Sequence, residues 1–200
     1  MTAYEVTLKV LRQEKACIAG YNKVVCGLQG QPFTNKHRDM KSYIRFAYKE
    51  PISLSFILEN NGLNDALWAM HCIKDAHRDI SLFSVWCARQ VQHLMRDSRS
   101  TNALDVIERF ANGKATKEEL EAASAAAWDA NVACPANAAN AAKAAAKAAW
   151  GASAAWNAAW AANAAGVDAS VDASAARAAQ TEMFKLMCDG KAPWQVSGLD

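Results

Sequence analysis

The chain lacks several features that would assign a function directly. Its first ten residues, MTAYEVTLKV, contain no apolar stretch followed by small residues, so a secretory signal is not expected. No run predicts a membrane span, because the long alanine-rich stretch is interrupted by Asn, Lys and Ser. Gly-rich phosphate-binding motifs, the Gly-x-Ser-x-Gly nucleophile motif and the His-Glu-x-x-His zinc motif are also missing. A cytoplasmic protein with no cofactor and no membrane partner is predicted.

Paired cysteines and strong charge are lacking too. The six cysteines form no Cys-x-x-Cys motif. Three disulfides could form among them, but nothing else indicates secretion, and buried free thiols are expected in a reducing compartment.

The net charge is only +2. Residues 1–115 carry 16 Lys and Arg against 11 Asp and Glu, and residues 116–200 carry 6 against 9. This mild asymmetry fits two parts of one fold.

Alanine is what the chain has in excess, since it fills more than half of residues 122–179. Alanine has the highest helix propensity, and the helix-breaking positions are Cys134-Pro135, Gly151 and Gly166. The pattern predicts helices over Lys117–Val132, Ala136–Ala165 and Asp168–Cys188. Methyl side chains let helices approach to about 8 Å. Tryptophan side chains then fill the wider gaps, among them Trp150, Trp156 and Trp160.

The first half of the chain predicts short helices joined by polar or Gly-containing turns. One or two helices are expected before the pair Gly27 and Gly30, followed by a polar connector. The stretch SYIRFAYKEP is compatible with an extended segment or with the end of a helix. Asn64 or Asp65 is predicted to cap ALWAMHCIKDAH, Thr101 or Asn102 to cap ALDVIERFANG, and Thr116 to open a capping box with Glu119.

The fold class predicted from these elements is all-α: a bundle or stack of short antiparallel helices with long Ala/Trp-rich C-terminal helices. One all-helical domain is expected over residues 1–200. It would consist of a mildly basic half (1–115), an alanine-rich half (116–190) and a tail (191–200) anchored by Trp194.

Reactive side chains are few and give no motif. His71 and Asp75 are four residues apart on a predicted helix, with Cys72 beside them, so a metal-dependent or thiol-dependent enzyme is one alternative. A helix-surface hydrogen bond and buried, inert thiols at Cys72 and Cys87 are favoured instead. No catalytic, cofactor-binding or metal-binding residue is assigned, and the protein is predicted not to be an enzyme.

A basic stretch with interleaved aromatic residues offers a second alternative. Tyr43, Phe46 and Tyr48 alternate with cations there, a mixture that can grip a nucleic-acid backbone with stacking support. Asp39 and Glu50 dilute the charge, and a solvated amphipathic face is the commoner use of such a pattern. The candidate nucleic-acid-binding residues are Lys36, Arg38, Lys41, Arg45 and Lys49.

The stretch SRSTNALDVIERFANGKATKEELEAASAAAWDA, residues 98–130, together with the Ala-Trp repeats after it, resembles a family of immunity proteins. These are small, all-helical, alanine-rich proteins of bacteria and their phages. The preceding ISLSFILENNGLNDALWAMHCI is similar to the family's central helix pair, so the resemblance covers roughly residues 50–165. It implies a helical domain that acts by binding another protein, such as a toxin or a defence effector, and it brings no catalytic residues.

The leading prediction is therefore a non-enzymatic inhibitor that binds a partner protein, either as an immunity protein or as a phage counter-defence (anti-CRISPR-like) protein. Trp150, Trp156 and Trp160 are its candidate protein-binding residues, because tryptophan is a common hot-spot residue and the helix around it carries little charge. Nucleic-acid binding is a less favoured alternative, and homo-oligomerisation is left open.

Overall fold

A computed structural model describes residues 4–90, 92–133 and 173–196. Over these described residues the fold is all-α, as predicted, apart from one pair of two-residue strands. The described chain groups into two compact units that divide between Lys74 and Asp75. This division differs from the change of composition near residue 115. The single-domain prediction stays a prediction, because spatial grouping does not measure whether the units fold independently.

The first unit is built from short helices and the strand pair. Its elements are β1 (Glu5–Val6), α1 (Leu8–Gln13), α2 (Ile18–Leu28), α3 (Asn35–Arg38), β2 (Ile52–Ser53), α4 (Leu54–Asn61) and α5 (Leu63–Met70). The core gathers apolar side chains from all the longer elements: Leu8, Leu11, Tyr21, Val25, Leu54, Ile57, Leu67 and Met70 are each at most 2% exposed.

The strand pair was not predicted. Val6 lies opposite Ile52 and Glu5 opposite Ser53, in antiparallel register. Two-residue strands have no room for the alternation that identifies a strand in a sequence. The pairing joins segments more than 40 residues apart, so only the tertiary fold forms it.

Some helices of the first unit begin at a residue whose side chain caps them, and α5 does not. Thr7, Cys17 and Ser53 accept hydrogen bonds from backbone N–H groups three residues on. The predicted cap of α5 at Asn64 or Asp65 is wrong. The helix begins at Leu63, and its N-cap is Gly62, whose φ of 97° favours glycine.

The second unit contains the longer helices. Its elements are a 3₁₀ turn (Lys74–Ala76, which starts at the last residue of the first unit), α6 (His77–Arg89), a 3₁₀ turn (Gln92–Leu94), α7 (Ser98–Ala111), α8 (Lys117–Ala133), α9 (Ala173–Cys188) and α10 (Pro193–Val196). Phe83 of α6 meets Phe184 of α9 edge to face at 6.0 Å, and both rings are fully buried. Arg89 joins α6 to α7 by ion pairs of 2.9 Å to Asp105 and 2.7 Å to Glu108.

Two predicted helix starts in this unit have opposite outcomes. The capping box is confirmed: the Glu119 N–H donates to Thr116 Oγ1 at 3.2 Å, and the Thr116 N–H donates to Glu119 Oε2 at 2.7 Å. The predicted cap at Thr101 or Asn102 is wrong. Asp97 caps α7 instead, because its carboxylate accepts from the Arg99 N–H at 2.9 Å.

The C-terminal predictions hold where the structure describes them. Helix α8 ends within one residue of the predicted Val132, and α9 ends at the predicted Cys188. Trp194 anchors the following turn, because its indole Nε1 donates to Asp79 Oδ1 at 3.0 Å. The predicted helix Ala136–Ala165 and the start of the last helix near Asp168 lie outside the described residues.

Candidate nucleic-acid interface

The basic segment, residues 36–49, lies in the first unit between α2 and β2. It begins in α3 and continues as irregular chain to the end of the segment. Of the two structures left open for SYIRFAYKEP, the helical one is therefore wrong. Every cation proposed from the sequence has an exposed side chain: Lys36, Arg38, Lys41, Arg45 and Lys49. The segment thus presents its charge to solvent.

A buried asparagine holds the backbone of the basic segment. Asn22 of α2 is fully buried, and its Oδ1 accepts from the Ile44 N–H at 2.8 Å. Its Nδ2 donates to the Ser42 carbonyl at 3.2 Å and to the His37 carbonyl at 3.4 Å. One side chain therefore satisfies backbone groups at three points of an irregular segment. Asn22 is not among the site residues predicted from the sequence, although a polar side chain within the apolar run of α2 is a signal for it.

A tyrosine provides a second attachment. The Tyr43 hydroxyl donates to the Ala16 carbonyl at 2.6 Å. Its ring lies 4.7 Å from that of Tyr21, which is 1% exposed, with the planes tilted by 57°. Tyr43, one of the aromatic residues of the predicted interface, is therefore a packing residue, which leaves Phe46 and Tyr48 as the candidates for ligand contact.

The net positive charge of the first unit resides in the basic segment. Residues 4–74 contain ten Lys and Arg against six Asp and Glu, a net of +4. Residues 36–49 contain five cations and a single acid, Asp39, which also gives +4. Outside the segment the unit is balanced at five against five. The field of this unit is therefore centred on the basic segment.

Local ion pairs neutralise little of this charge. Arg38 lies 3.7 Å from Asp39, and both side chains are well exposed. The other cations of the segment have no ion-pair partner among the described residues: Lys36, Lys41, Arg45 and Lys49. The second unit differs, because Arg78, Arg89, Arg99 and Arg109 each pair with a carboxylate.

Exposure alternates along the last part of the basic segment. Arg45, Ala47 and Lys49 are exposed, whereas Phe46 and Tyr48 are half-buried, which is the period-two pattern of an extended chain. The rings of Phe46 and Tyr48 lie 5.7 Å apart with their planes within 14° of parallel. The two nearly parallel rings therefore lie on one side of the extended segment, and the exposed Arg45 and Lys49 lie on the other.

The alternative enzyme site does not form as proposed. Helix α5 ends at Met70 with His71 as its C-cap, and Asp75 belongs to a separate 3₁₀ turn. The i, i+4 relation on one helix face is therefore wrong. Within the described residues no group of three or more His, Cys, Asp or Glu side chains is arranged to hold a metal ion.

Burial suppresses the thiolate form of the candidate nucleophiles. Desolvation, with a smaller contribution from Glu14, raises the pKa of Cys72 to about 11. Cys87 is fully buried, and desolvation raises its pKa further still. A nucleophilic cysteine requires a lowered pKa, so these shifts favour the prediction of inert thiols, which stays a prediction. The predicted burial is confirmed at Cys87, whereas Cys72 is only half-buried.

The candidate protein-binding residues Trp150, Trp156 and Trp160 lie outside the described residues. Large exposed apolar side chains do occur in the second unit, namely Phe110, Trp128, Leu186 and Val196. Trp128 of α8 is 46% exposed. None of the helices in the described ranges is both long and apolar enough to cross a membrane.

Comparison with protein-family models, with curated proteins and with solved structures found no match to this chain. The resemblance to immunity proteins is neither supported nor refuted by these comparisons and stays a prediction.

Proposed function

We propose that the protein is a nucleic-acid-binding protein that contacts the phosphate backbone through the basic segment of its first unit. The observation that carries the proposal is the +4 charge of residues 36–49, exposed and almost unpaired, in a unit that is otherwise neutral. The sequence predicts a protein-binding inhibitor first and nucleic-acid binding second. The exposure of the basic segment and its scarcity of ion pairs support the second function.

Backbone contacts of this kind have a quantitative signature. Each phosphate neutralised by Lys or Arg releases condensed counterions, so the logarithm of the binding constant falls linearly with the logarithm of the salt concentration. Five contacts correspond to a slope of roughly −3.5 on a single strand and roughly −4.5 on a duplex. Affinity should therefore fall on the order of 100-fold or more between 50 and 200 mM salt.

A fluorescence-anisotropy titration with labelled oligonucleotides at several salt concentrations tests the proposal. The test variant is Arg45→Gln/Lys49→Gln. The matched control is Lys9→Gln/Lys74→Gln, which removes two exposed cations of the same unit from outside the basic segment. The test variant should bind more weakly and lower the magnitude of the slope by roughly 1.4 to 1.8, while the control should keep the wild-type slope.

Two results would contradict the proposal. One is the absence of binding by the wild-type protein at 20 mM salt. The other is an equal loss in the test and control variants, because the effect would then reflect net charge rather than the basic segment.

We also propose, as a second candidate, a protein-binding inhibitor of the immunity or counter-defence kind. The exposed Trp128 and Phe110 favour it, because aromatic side chains often dominate protein interfaces. Co-purification with mass spectrometry from a host that expresses toxins or defence complexes tests this candidate. A specific partner should be lost in Trp128→Gln and retained in the basic-segment variant. If the same proteins bind both variants equally, Trp128 does not form the interface.

A further inference from the structure

We infer that residues 45–49 present an unpaired strand edge that binds an extended peptide of another protein, one with acidic side chains on the face that meets the cations of this edge. This mode of binding is β-augmentation, in which a peptide adds a strand through main-chain hydrogen bonds. The inference goes beyond the proposed function, because it concerns backbone groups that a phosphate contact through Lys and Arg side chains does not use.

The backbone of residues 45–50 has no strand partner in the part of the chain that the structure describes. Its N–H and C=O groups form no hydrogen bond with other described residues. Every residue of this stretch is exposed or half-buried, so solvent reaches it along its whole length. An extended chain with unpaired backbone groups is a template on which a further strand can pair.

The strand pair β1–β2 does not extend along this stretch. Its last pair in this direction is Val6 opposite Ile52. The next pair would be Thr7 and Pro51, but Thr7 is the N-cap of α1 and Pro51 has no N–H to donate. For this reason β1 does not pair with residues 45–50.

The bond to Asn22 fixes which edge of the stretch is open. The Ile44 N–H points towards α2, because it donates to Asn22 Oδ1 at 2.8 Å. Successive residues of an extended chain direct their backbone groups to opposite edges. The N–H and C=O groups of Arg45, Ala47 and Lys49 therefore point away from α2, and the side chains of these residues are exposed. These three residues form the open edge.

The charge of the open edge selects an acidic partner. Arg45 and Lys49 lie at its two ends, and neither has an ion-pair partner among the described residues. Opposite charges directly across two strands stabilise their pairing. A peptide with Glu opposite each cation therefore fits this edge. Its alternate residues lie on the side of the half-buried Phe46 and Tyr48, where apolar side chains fit.

The same cations disfavour a second copy of this chain as the occupant. An antiparallel pairing of two copies centred on Ala47 would place Arg45 opposite Lys49 at both ends. A parallel pairing in register would place Arg45 opposite Arg45. Like charges directly across two strands destabilise the pairing, and natural sheets use charged edges to prevent self-association. The open edge therefore suits an acidic strand better than it suits itself.

Amide hydrogen exchange followed by NMR tests the inference on the wild-type protein. The probe is the peptide Ser-Glu-Val-Thr-Val-Glu-Ser, blocked at both ends, and the control peptide carries Lys in place of both Glu. The acidic peptide should slow exchange at the N–H groups of Arg45, Ala47 and Lys49 and leave those of Phe46 and Tyr48 unchanged. The control peptide should bind roughly 4-fold or more weakly, because two cross-strand pairs change from opposite to like charge.

Two substitutions separate main-chain pairing from charge. Ala47→Pro removes the central N–H of the open edge and keeps every cation, so it should weaken binding of the acidic peptide roughly 5-fold or more. The matched control Ala47→Val adds similar bulk but keeps the N–H, and it should bind as the wild type does. The NMR spectrum of each variant without peptide checks that it folds. Ala47→Pro should also keep the wild-type affinity for oligonucleotides, because its cations are intact.

Each contrary result is specific. If the acidic peptide slows exchange at no residue of the open edge, or equally at its neighbours, strand pairing at this edge is overturned. If both peptides bind equally, the acidic partner is overturned. If the open edge becomes protected in concentrated protein without peptide, a second copy is the occupant and the inference is wrong. Failure of oligonucleotide binding alone would overturn the proposed function and leave this inference standing.

Discussion

Replacing Asn22 is the sharpest test of how the structure presents the basic segment. Asn22→Leu keeps a side chain of similar size but removes the bonds to Ile44 and Ser42, measured at 2.8 and 3.2 Å. Two such bonds contribute about 1 kcal/mol each. A backbone N–H left without a partner adds about 1–3 kcal/mol, so holding the segment in place should become about 3–5 kcal/mol less favourable.

The expected loss of free energy predicts a faster rate of proteolysis in the basic segment. Since 1.4 kcal/mol corresponds to a factor of ten, the population in which the segment has detached should rise roughly 100-fold or more. Proteolysis tracks the open population when opening and closing are fast. The segment contains its own tryptic sites at Lys41 and Arg45, so mass spectrometry of a limited digest reads its opening directly.

Two further variants sharpen the assay. Asn22→Asp keeps an acceptor for the Ile44 N–H but replaces the amide donor by a carboxylate that faces carbonyl oxygens, so faster cleavage is expected there too. The control is Gln31→Leu, which changes an exposed amide in the connector. If both Asn22 variants are cleaved at the wild-type rate, the buried amide does not hold the segment and the reasoning about its presentation is wrong.

Three other predictions concern stability. A Cβ on Gly27 would lie 2.5–2.7 Å from the Asn60 amide. Although alanine has the better helix propensity, Gly27→Ala should therefore lower the free energy of unfolding, measured by urea denaturation, by about 1–3 kcal/mol. Adding Asn60→Ala should restore most of this loss. Hydrogen bonds from Arg99 lower the pKa of Asp97 to about 2. Because this pKa is depressed in the folded state, the stabilisation is present above pH 4 and is lost as the pH falls towards 2. In Asp97→Asn the melting temperature should therefore change less with pH between 4 and 2 than it does in the wild type. Asp79 accepts from Trp194 at 3.0 Å, so Asp79→Ala, which removes the acceptor, should release the C-terminal turn and speed tryptic cleavage after Lys191, whereas unchanged cleavage would refute the anchor.

The helices of the second unit could be predicted from the sequence because the signals for them are local. Helix α8 follows from alanine propensity and from the Thr116 capping box, whose partners are three residues apart. The all-α class rests on the same kind of information. Asp97 was missed as the cap of α7 because several residues that can cap stand in a row, and packing selects among them.

The first unit was less predictable because its decisive contacts are distant in sequence. The strand pair joins Val6 to Ile52, and α5 ends at Met70 although the apolar pattern continues through Ile73. That early end separates His71 from Asp75, which the sequence had suggested on one helix face. Such outcomes depend on which segments of the chain pack together, and the periodicity within one segment does not contain this information.

By itself, the sequence determined the helical class and the concentration of positive charge in residues 36–49, because propensity and charge are properties of the residues. Only the tertiary structure decided that these cations stay exposed with Arg38 as the one member in an ion pair among the described residues, and that the rings of Phe46 and Tyr48 lie nearly parallel. The physical reason is that an irregular segment has no hydrogen-bond ladder of its own. Its shape comes from partners elsewhere in the chain, and here the buried amide of Asn22 is the principal one.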